Sequence, residues 1–425
     1  MKAIFLITAL SINFLFSQID SVYLHLPDSL YTTSESKFSV YYTNLIRGRF
    51  ENKEQIIVNC EVGYPDSMKY NLDSLTAGIY KFNIQINDSN GLLIEESESN
   101  LIVTENEVNY SDTLEILMIG DSYTWSGIYN KHVKDLYANS NNMIKLSGSN
   151  FNSSSNYYGI DNQIFHEGYS GKSWFWFIAY EESPFVFDSD VDFDRYVNEI
   201  LQGKEPHIIT IFLGINDIGS GDPSSIETID QRIDIIFTRM NILMSSIISS
   251  CPNTQIGIVL TPPTNERVET YTNPDLPDYF ERKRMHHRLA QRYEDYFNNI
   301  NNPRISVIPV NVNIDTFNGF GTTDSIHPNI FGYNQIGDSI YGWIKYQISR
   351  WMKSPINFCI YYENNCALLS WNEISEITLY KIYRSSDPFS GFEEIGTSTS
   401  NSFTDTNLNG SDRYFYHVTA DNGLK

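Results

Sequence analysis

The sequence predicts an α/β domain with a parallel sheet covered on both faces, flanked on each side by a β-sandwich. Two observations point there. Between residues 113 and 355, continuous apolar strands alternate with helical periods, the pattern of a sheet buried on both faces. On either side, short runs rich in β-branched and aromatic residues follow one another between turn signals, the pattern of sandwiches.

Residues 18–107 form the first β region. SVYLHL, KFSVYYTNL, EQIIVNCEV, GIYKFNIQIND and GLLIEESESNLIV read as strands. In the fourth, Tyr80, Phe82, Ile84 and Ile86 share one face, and Lys81, Asn83 and Gln85 the other. That alternation marks a half-buried strand. Asp88-Ser89-Asn90-Gly91 supplies the turn that follows. The polar stretch Glu105 to Asp112 reads as a linker.

In residues 113–355, TLEILMIGDS, HIITIFLGIND, TQIGIVLTPP and RISVIPVNV read as buried strands. YNKHVKDLYANS reads as a helix, as do FERKRMHHRLAQRYEDYFNNI and NIFGYNQIGDSIYGWIKYQISRWM. A longer helix places Ile229, Ile233, Ile236, Met240, Leu243 and Ile247 on one stripe. Residues 357–425 return to strands in ALLSWN, ITLYKIYRSS, FEEIGTS, NSFTDTN and DRYFYHVTA.

Composition narrows the function classes. The 425 residues are 41% hydrophobic and 19% charged, which suits globular domains rather than disorder. The formal net charge is −23, which argues against a nucleic-acid or anionic-membrane partner. MKAIFLITALSINFLFSQ has a basic start, an apolar run too short to span a bilayer and a small residue for cleavage. It reads as a secretory leader over residues 1–17, placing the protein in the secreted, periplasmic or cell-surface space. No other segment reaches the about 18 uninterrupted apolar residues of a spanning helix, so no stable membrane insertion is expected. Four cysteines exclude a disulfide-built scaffold. In an oxidising space Cys359 and Cys366 could pair at the entry to the last domain, whereas Cys60 and Cys251 read as free thiols.

Four short motifs lie at strand ends or in the loops beyond them. They are Gly120-Asp121-Ser122, Gly168-Tyr169-Ser170-Gly171, Gly214-Ile215-Asn216-Asp217 and Asp324-Ser325-Ile326-His327. Their chemistry reads as acyl transfer. A serine hydroxyl needs a base, and His327 can take the proton of Ser122. Asp324, three residues earlier, can fix the imidazole tautomer. The developing oxyanion needs donors, which the Ser122 and Gly171 N–H groups and the Asn216 amide could supply. Taken singly, each motif has a plainer use. The glycines could serve turn geometry, Asn216 a turn or cap, and Asp324 a helix N-cap. Asp121 and Asp217 read as structural.

The four blocks in this order resemble the SGNH (GDSL-type) esterase and lipase superfamily. The resemblance covers residues 120–327. It implies a flavodoxin-like three-layer αβα fold with about five parallel strands, a Ser122 nucleophile completed by Asp324 and His327, an oxyanion hole of Ser122, Gly171 and Asn216, and no metal or cofactor. Tyr123 stands where the signature has leucine, and His166 where asparagine is common. His286 and His287, on a charged helix, read as solvated. The C-terminal strands, with a Trp in ALLSW and the tyrosines of YFYHVTA, resemble a fibronectin type III module. Such a module needs one more strand after HVTADNG, and the sequence stops at Lys425.

The aromatic stretch after the second block suggests a substrate platform of Tyr169, Trp174 and Trp176, with core packing the plainer use of each. The expectation is a secreted serine esterase acting on an acylated small molecule or polysaccharide, an O-acetylated carbohydrate in the leading reading. A lipase, arylesterase or thioesterase of the same superfamily is the alternative. A non-catalytic carbohydrate-binding protein on the same scaffold is the third.

Overall fold

The computed structural model describes residues 22–48, 54–106, 113–138, 143–151, 164–273, 275–300, 302–352, 358–373, 379–388, 391–406, 408–409 and 413–421. The expected leader lies outside them, as does most of the expected linker. The chain divides into two compact units, Met1–Asn299 with Arg304–Lys345, and Tyr346–Lys425 with Ile300–Pro303.

The centre of the first unit is a parallel sheet of β1 (Leu114–Gly120), β2 (Ile144–Ser147), β3 (Ile208–Phe212), β4 (Gln255–Val259) and β5 (Ile305–Ile308). The strand order is 2-1-3-4-5, and every pair is parallel. The order reverses between β1 and β3. In open α/β sheets, ligands bind beyond the carboxyl ends of the strands at that point. A two-residue strand, Glu167–Gly168, pairs with Ile119–Gly120 beyond the end of β2. The sequence reading lacked β2. Its four residues carry a lysine and a serine, too little apolar pattern to show.

Side chains alternate across a strand, so β1 feeds two cores. Leu117 and Ile119 face helices α2 (Ile226–Ser250) and α3 (Tyr279–Ile300). The stripe Ile229, Ile233, Ile236, Met240, Leu243 and Ile247 is fully buried there, each side chain contributing at most roughly 1.5–3 kcal/mol. Ser225 and Thr228 close the N-terminus of α2 with a capping box. On the other face lie α1 (Ile128–Ala138) and α4 (Ile330–Met352). Asn130 of α1 reaches the Met118 sulfur, and Trp343 of α4 lies over Gly257, where a Cβ would come within 2.8 Å of the indole.

The N-terminal β region has two larger sheets and a two-stranded pair, Tyr23–Leu24 with Ile46–Arg47, around one core. One runs Ser29–Thr33, Leu93–Thr104, Gly78–Asn87, Gln55–Cys60, and the other Phe38–Tyr41, Lys69–Leu72, Tyr64–Pro65. Phe82, Ile84 and Ile86 point inward as the alternation requires. KFSVYYTNL is a strand only to Tyr41 and then turns into a one-turn helix, Tyr42–Leu45. This region docks on the stretch after β5. Tyr41 N–H donates to the Val312 carbonyl (3.0 Å), Ser39 N–H to Asn313 Oδ1 (2.8 Å), and Asn44 Nδ2 to the carbonyls of Asn311 and Ile314 (2.9 and 2.7 Å). Val312 is part of the sandwich core.

That docking corrects the reading of His286 and His287 as solvated. Both are buried, at 2% and 7% exposure. His287 Nε2 bonds the Leu45 carbonyl (2.9 Å) and His286 Nδ1 the Pro262 carbonyl (3.0 Å). Burial holds both imidazoles below the ordinary histidine range.

The second unit contains two three-stranded antiparallel sheets, Cys359–Glu363, Cys366–Ser370, Ser402–Asp405 and Glu393–Ser398, Leu379–Ser385, Phe415–Asp421. Leu369, Trp371, Tyr380, Ile382 and Val418 fill the space between them. Cys359 and Cys366 are not joined. The hairpin register sets Cys359 opposite Ser370 and Cys366 opposite Glu363, so the two thiols lie apart along it. Cys60 and Cys251 are free thiols.

Candidate active site

The site is built where β1 and β3 end. β1 runs into Gly120 and Asp121, and Ser122 begins a one-turn helix, Ser122–Trp125. Asp121 Oδ1 accepts from Tyr123 N–H (3.0 Å) and caps this turn. A side chain at Gly120 has no room, since its Cβ would stand 2.9 Å from the Phe212 carbonyl oxygen and the same distance from Thr124 Cβ. Gly214, beyond β3, has φ +126°, and a Cβ there would meet the Tyr293 hydroxyl at 2.6 Å. The Gly-Ile-Asn-Asp turn can close only with glycine at its head.

Ser122 Oγ lies 2.9 Å from His327 Nε2, and His327 Nδ1 lies 2.9 Å from Asp324 Oδ2. A carboxylate only accepts, so Nδ1 carries the proton and Nε2 presents its lone pair to the Ser122 hydroxyl. Asp324 Oδ1 takes the backbone N–H groups of Ile326 (2.8 Å) and His327 (3.0 Å). Partial burial alone would raise the Asp324 pKa. The hydrogen bonds from His327 and its neighbours outweigh it and hold the carboxyl at about 2. The hydrogen bond to Asp324 raises His327 above the ordinary imidazole value, against the effect of burial. The His327 and Asp324 side chains are 41% and 48% exposed, whereas Ser122 is buried at 8%.

Asn216 Nδ2 donates to the Lys172 carbonyl (2.9 Å) and, at a longer 3.3 Å, to Asp121 Oδ2. Those two contacts tie the third motif to the first and to the residue after Gly171. Gly171 has φ +74°, with nothing within 4 Å of the position a Cβ would take. Its glycine serves the left-handed turn. Buried Asp217 accepts from Trp174 N–H (3.0 Å) and holds the start of the aromatic helix Trp174–Ala179. Burial pushes Asp217 up to about 6 and Asp121 up to about 7.

The expected aromatic platform turns inward. Trp174 is fully buried, and its indole N–H donates to the Tyr293 hydroxyl (2.8 Å). Trp176 is 8% exposed and packs on Tyr169 at 4.9 Å. The Tyr169 hydroxyl is spent on Glu167 (2.8 Å). Trp174, Trp176 and Phe177 fill the core beside α2, whereas Phe175 and Tyr180 of the same run are exposed.

Sequence reasoning missed the residues that hold the Asp324–His327 loop. Asn265, fully buried, donates from Nδ2 to the carbonyls of Gly321 (2.9 Å) and Asp324 (2.8 Å). Thr264 Oγ1 donates to the Ser325 carbonyl (2.8 Å), and the Tyr123 hydroxyl to the Ile326 carbonyl (2.6 Å). Tyr123, the departure from the signature, thus links the Ser122 turn to the loop of its partner.

The model of the GDSL-like lipase/acylhydrolase family matches residues 116–340, more than half of the chain. The chain belongs to that family. The matched span of this GDSL-like acylhydrolase contains all four motifs and all five strands of the central sheet except the first residues of β1. No curated protein matches it. Solved structures similar to it include a family 3 carbohydrate esterase from Talaromyces cellulolyticus, at 15% identity and TM-score 0.37, over 56% of this chain and 98% of that one. Another is the family 3 carbohydrate esterase of Clostridium thermocellum, at 16% identity and TM-score 0.38, over 56% and 98%. An aryl esterase of M. smegmatis shares 14% identity at TM-score 0.32, over 55% and 99%. The acylhydrolase is thus a carboxylic ester hydrolase by family.

Proposed function

We propose that this acylhydrolase is an exported serine esterase that removes O-acetyl groups from a carbohydrate through an acyl-enzyme on Ser122. The observation that carries the reading is the unbroken relay Ser122 Oγ, His327 Nε2, His327 Nδ1, Asp324 Oδ2, with both links at 2.9 Å. His327 takes the serine proton as Oγ attacks the ester carbonyl. Asp324, ionised far below neutral pH, stabilises the imidazolium that forms. The Ser122 and Gly171 N–H groups and Asn216 Nδ2 receive the oxyanion. The contact from Asn216 to Asp121 is the longer of its two, and it is the one the oxyanion displaces. His327 then protonates the leaving alcohol. The same imidazole then deprotonates a water, which attacks the acyl carbonyl; as the acyl–Oγ bond breaks and acetate leaves, the imidazolium returns the proton to Ser122 Oγ.

The carbohydrate half of the reading is supported by the exposed His327–Asp324 end of the relay and by the β modules that precede and follow the central domain in the sequence. The two three-stranded sheets of the second unit, closed around Trp371, support a fibronectin type III-like spacer. The leader in residues 1–17 supports export.

Acetate release from acetylated xylan, with Ser122→Ala in parallel, tests the reading. Serine-dependent release is expected, with activity on 4-nitrophenyl esters highest at acetate. Rates that climb to the octanoyl ester, with no release from xylan, would replace it with a lipase-like enzyme.

A further inference from the structure

The loop that carries Asp324 and His327 stands on a short stem. Phe320 and Pro328 pair in an antiparallel bridge across its neck. Beside the bridge, Asn329 Nδ2 donates to the carbonyls of Asn318 (2.8 Å) and Phe320 (3.1 Å), and Asn329 N–H to the Gly319 carbonyl (2.9 Å). The stem rises from Asp315. Its Oδ1 accepts from the N–H groups of Phe317 (3.0 Å) and Asn318 (2.8 Å), and its carbonyl from Gly319 N–H (2.8 Å). The Thr316 carbonyl accepts from Glu266 N–H (3.0 Å), next to the Asn265 that holds the loop itself.

The base of this stem is the stretch on which the N-terminal β region docks. Each of the four residues from Asn311 to Ile314 is bonded to that region. Asn44 Nδ2 takes the carbonyls of Asn311 and Ile314, Tyr41 N–H that of Val312, and Ser39 N–H the Asn313 side chain. The Tyr41 hydroxyl adds longer contacts, donating to Asp315 Oδ2 (3.4 Å) and accepting from Gln335 Nε2 (3.3 Å). Gln335 Oε1 in turn accepts from Asp315 N–H (2.9 Å). Asn44, Asn311, Val312 and Asn313 are all buried, so the grip is dry.

We infer that the N-terminal β region is a positioning element of the relay: by gripping residues 311–315 it fixes the stem that sets Asp324 and His327 against Ser122. This rests on the serine relay of the esterase reading, not on its carbohydrate half. Ser122 sits at the end of β1, a separate element. Slack at residues 311–315 therefore passes up the chain of bonded turns to His327 and leaves Ser122 where it is. Asn44 and Tyr41 act through that chain and touch neither the ester nor the reacting atoms.

The test takes pH–rate profiles on 4-nitrophenyl acetate for the full chain and for Asn44→Ala, Tyr41→Phe and Ile86→Val. Ile86 lies in the core of the same β region, so Ile86→Val loosens that region without removing a bond of the grip. Asn44→Ala should lower kcat about tenfold with KM little changed. It should also move the midpoint of the pH rise down, towards the ordinary histidine value, because the bond from Asp324 that raises His327 is slackened. Tyr41→Phe should shift both in the same direction, kcat by roughly threefold, and decides the matter where Asn44→Ala does not fold. Ile86→Val should leave both at the parent values. Either quantity unchanged in folded Asn44→Ala, or in Tyr41→Phe where Asn44→Ala does not fold, overturns the inference and leaves the serine esterase intact. Equal changes in Ile86→Val overturn it too, since loss of stability alone would then account for them. Absence of Ser122-dependent hydrolysis in the parent chain overturns the esterase reading and the positioning role with it.

Discussion

Replacing Asn265 by alanine separates holding the relay from being part of it. Its Nδ2 makes two buried bonds, to the Gly321 and Asp324 carbonyls, and its Oδ1 accepts from Arg267 N–H (3.0 Å). Each such bond contributes about 1 kcal/mol net, and a carbonyl left dry costs about 1–3 kcal/mol. The Ser325 carbonyl keeps its bond from Thr264, and Ile326 its bond from Tyr123, so the loop loosens without detaching. The expected loss is about 2–4 kcal/mol in urea unfolding, read as a lower midpoint at unchanged slope. Asp324 would lose the bond to its backbone carbonyl and keep only its side-chain bonds from the Ile326 and His327 N–H groups and His327 Nδ1, and a misplacement on the order of 1 Å costs up to about 10²-fold in rate. Initial rates on 4-nitrophenyl acetate should show kcat falling about 10- to 10²-fold with KM little changed. A variant that loses the stability but keeps its kcat would refute the claim that Asn265 positions the relay.

Asn216→Ala should lower kcat by about 10²–10³-fold on any ester, read from initial rates; an unchanged rate removes Asn216 from the oxyanion hole. Activity should rise with pH as His327 loses its proton, since only the neutral ring accepts one, and the midpoint should lie above the ordinary histidine value because Asp324 raises it. Asp324→Asn should move that midpoint down and cut kcat by at least about 10²-fold; a pH–rate profile that does not move contradicts the assigned pair. Asp121 is raised by burial to about 7 in the fold, above its unfolded value, so it keeps its proton longer when folded. Its contribution is therefore intact below the unfolded carboxylate pKa and lost as pH rises towards 7, at a cost on the order of 4 kcal/mol. Asp121→Asn, which keeps an acceptor for Tyr123 N–H, should narrow the drop in Tm between pH 4 and pH 8; an equal drop in both proteins refutes it.

The central fold was legible because its strands are continuous apolar runs and its long helix has a strict stripe. β1 and β3 to β5 all fall within the segments read from sequence, and the six stripe positions of α2 are all fully buried. β2 was not legible, since Ile144-Lys145-Leu146-Ser147 alternates apolar and polar residues with no longer apolar run around it, whereas the equally short β5 lies within the apolar run RISVIPVNV. The meeting of Ser122 with His327 was legible from motif order, because strands in a parallel sheet end on one side and bring distant loops together. Thr264 and Asn265 lay in plain view, as polar residues shortly after the β4 run, yet nothing in the sequence said which carbonyls they would meet. His286 and His287 misled because a charged helix looks solvated until another region covers it, and that covering is tertiary. Trp174 and Trp176 misled in the opposite sense. Aromatic richness beside a site does not say which way the rings turn.

The most direct test of the Ser122 assignment is the nitrophenol burst from 4-nitrophenyl acetate in stopped flow, followed by the protein mass on acid quench. A burst near one equivalent and a mass gain of one acetyl group, both abolished in Ser122→Ala, are expected for an acyl-enzyme on Ser122. Full turnover by Ser122→Ala, or acetyl found on another residue, would contradict it.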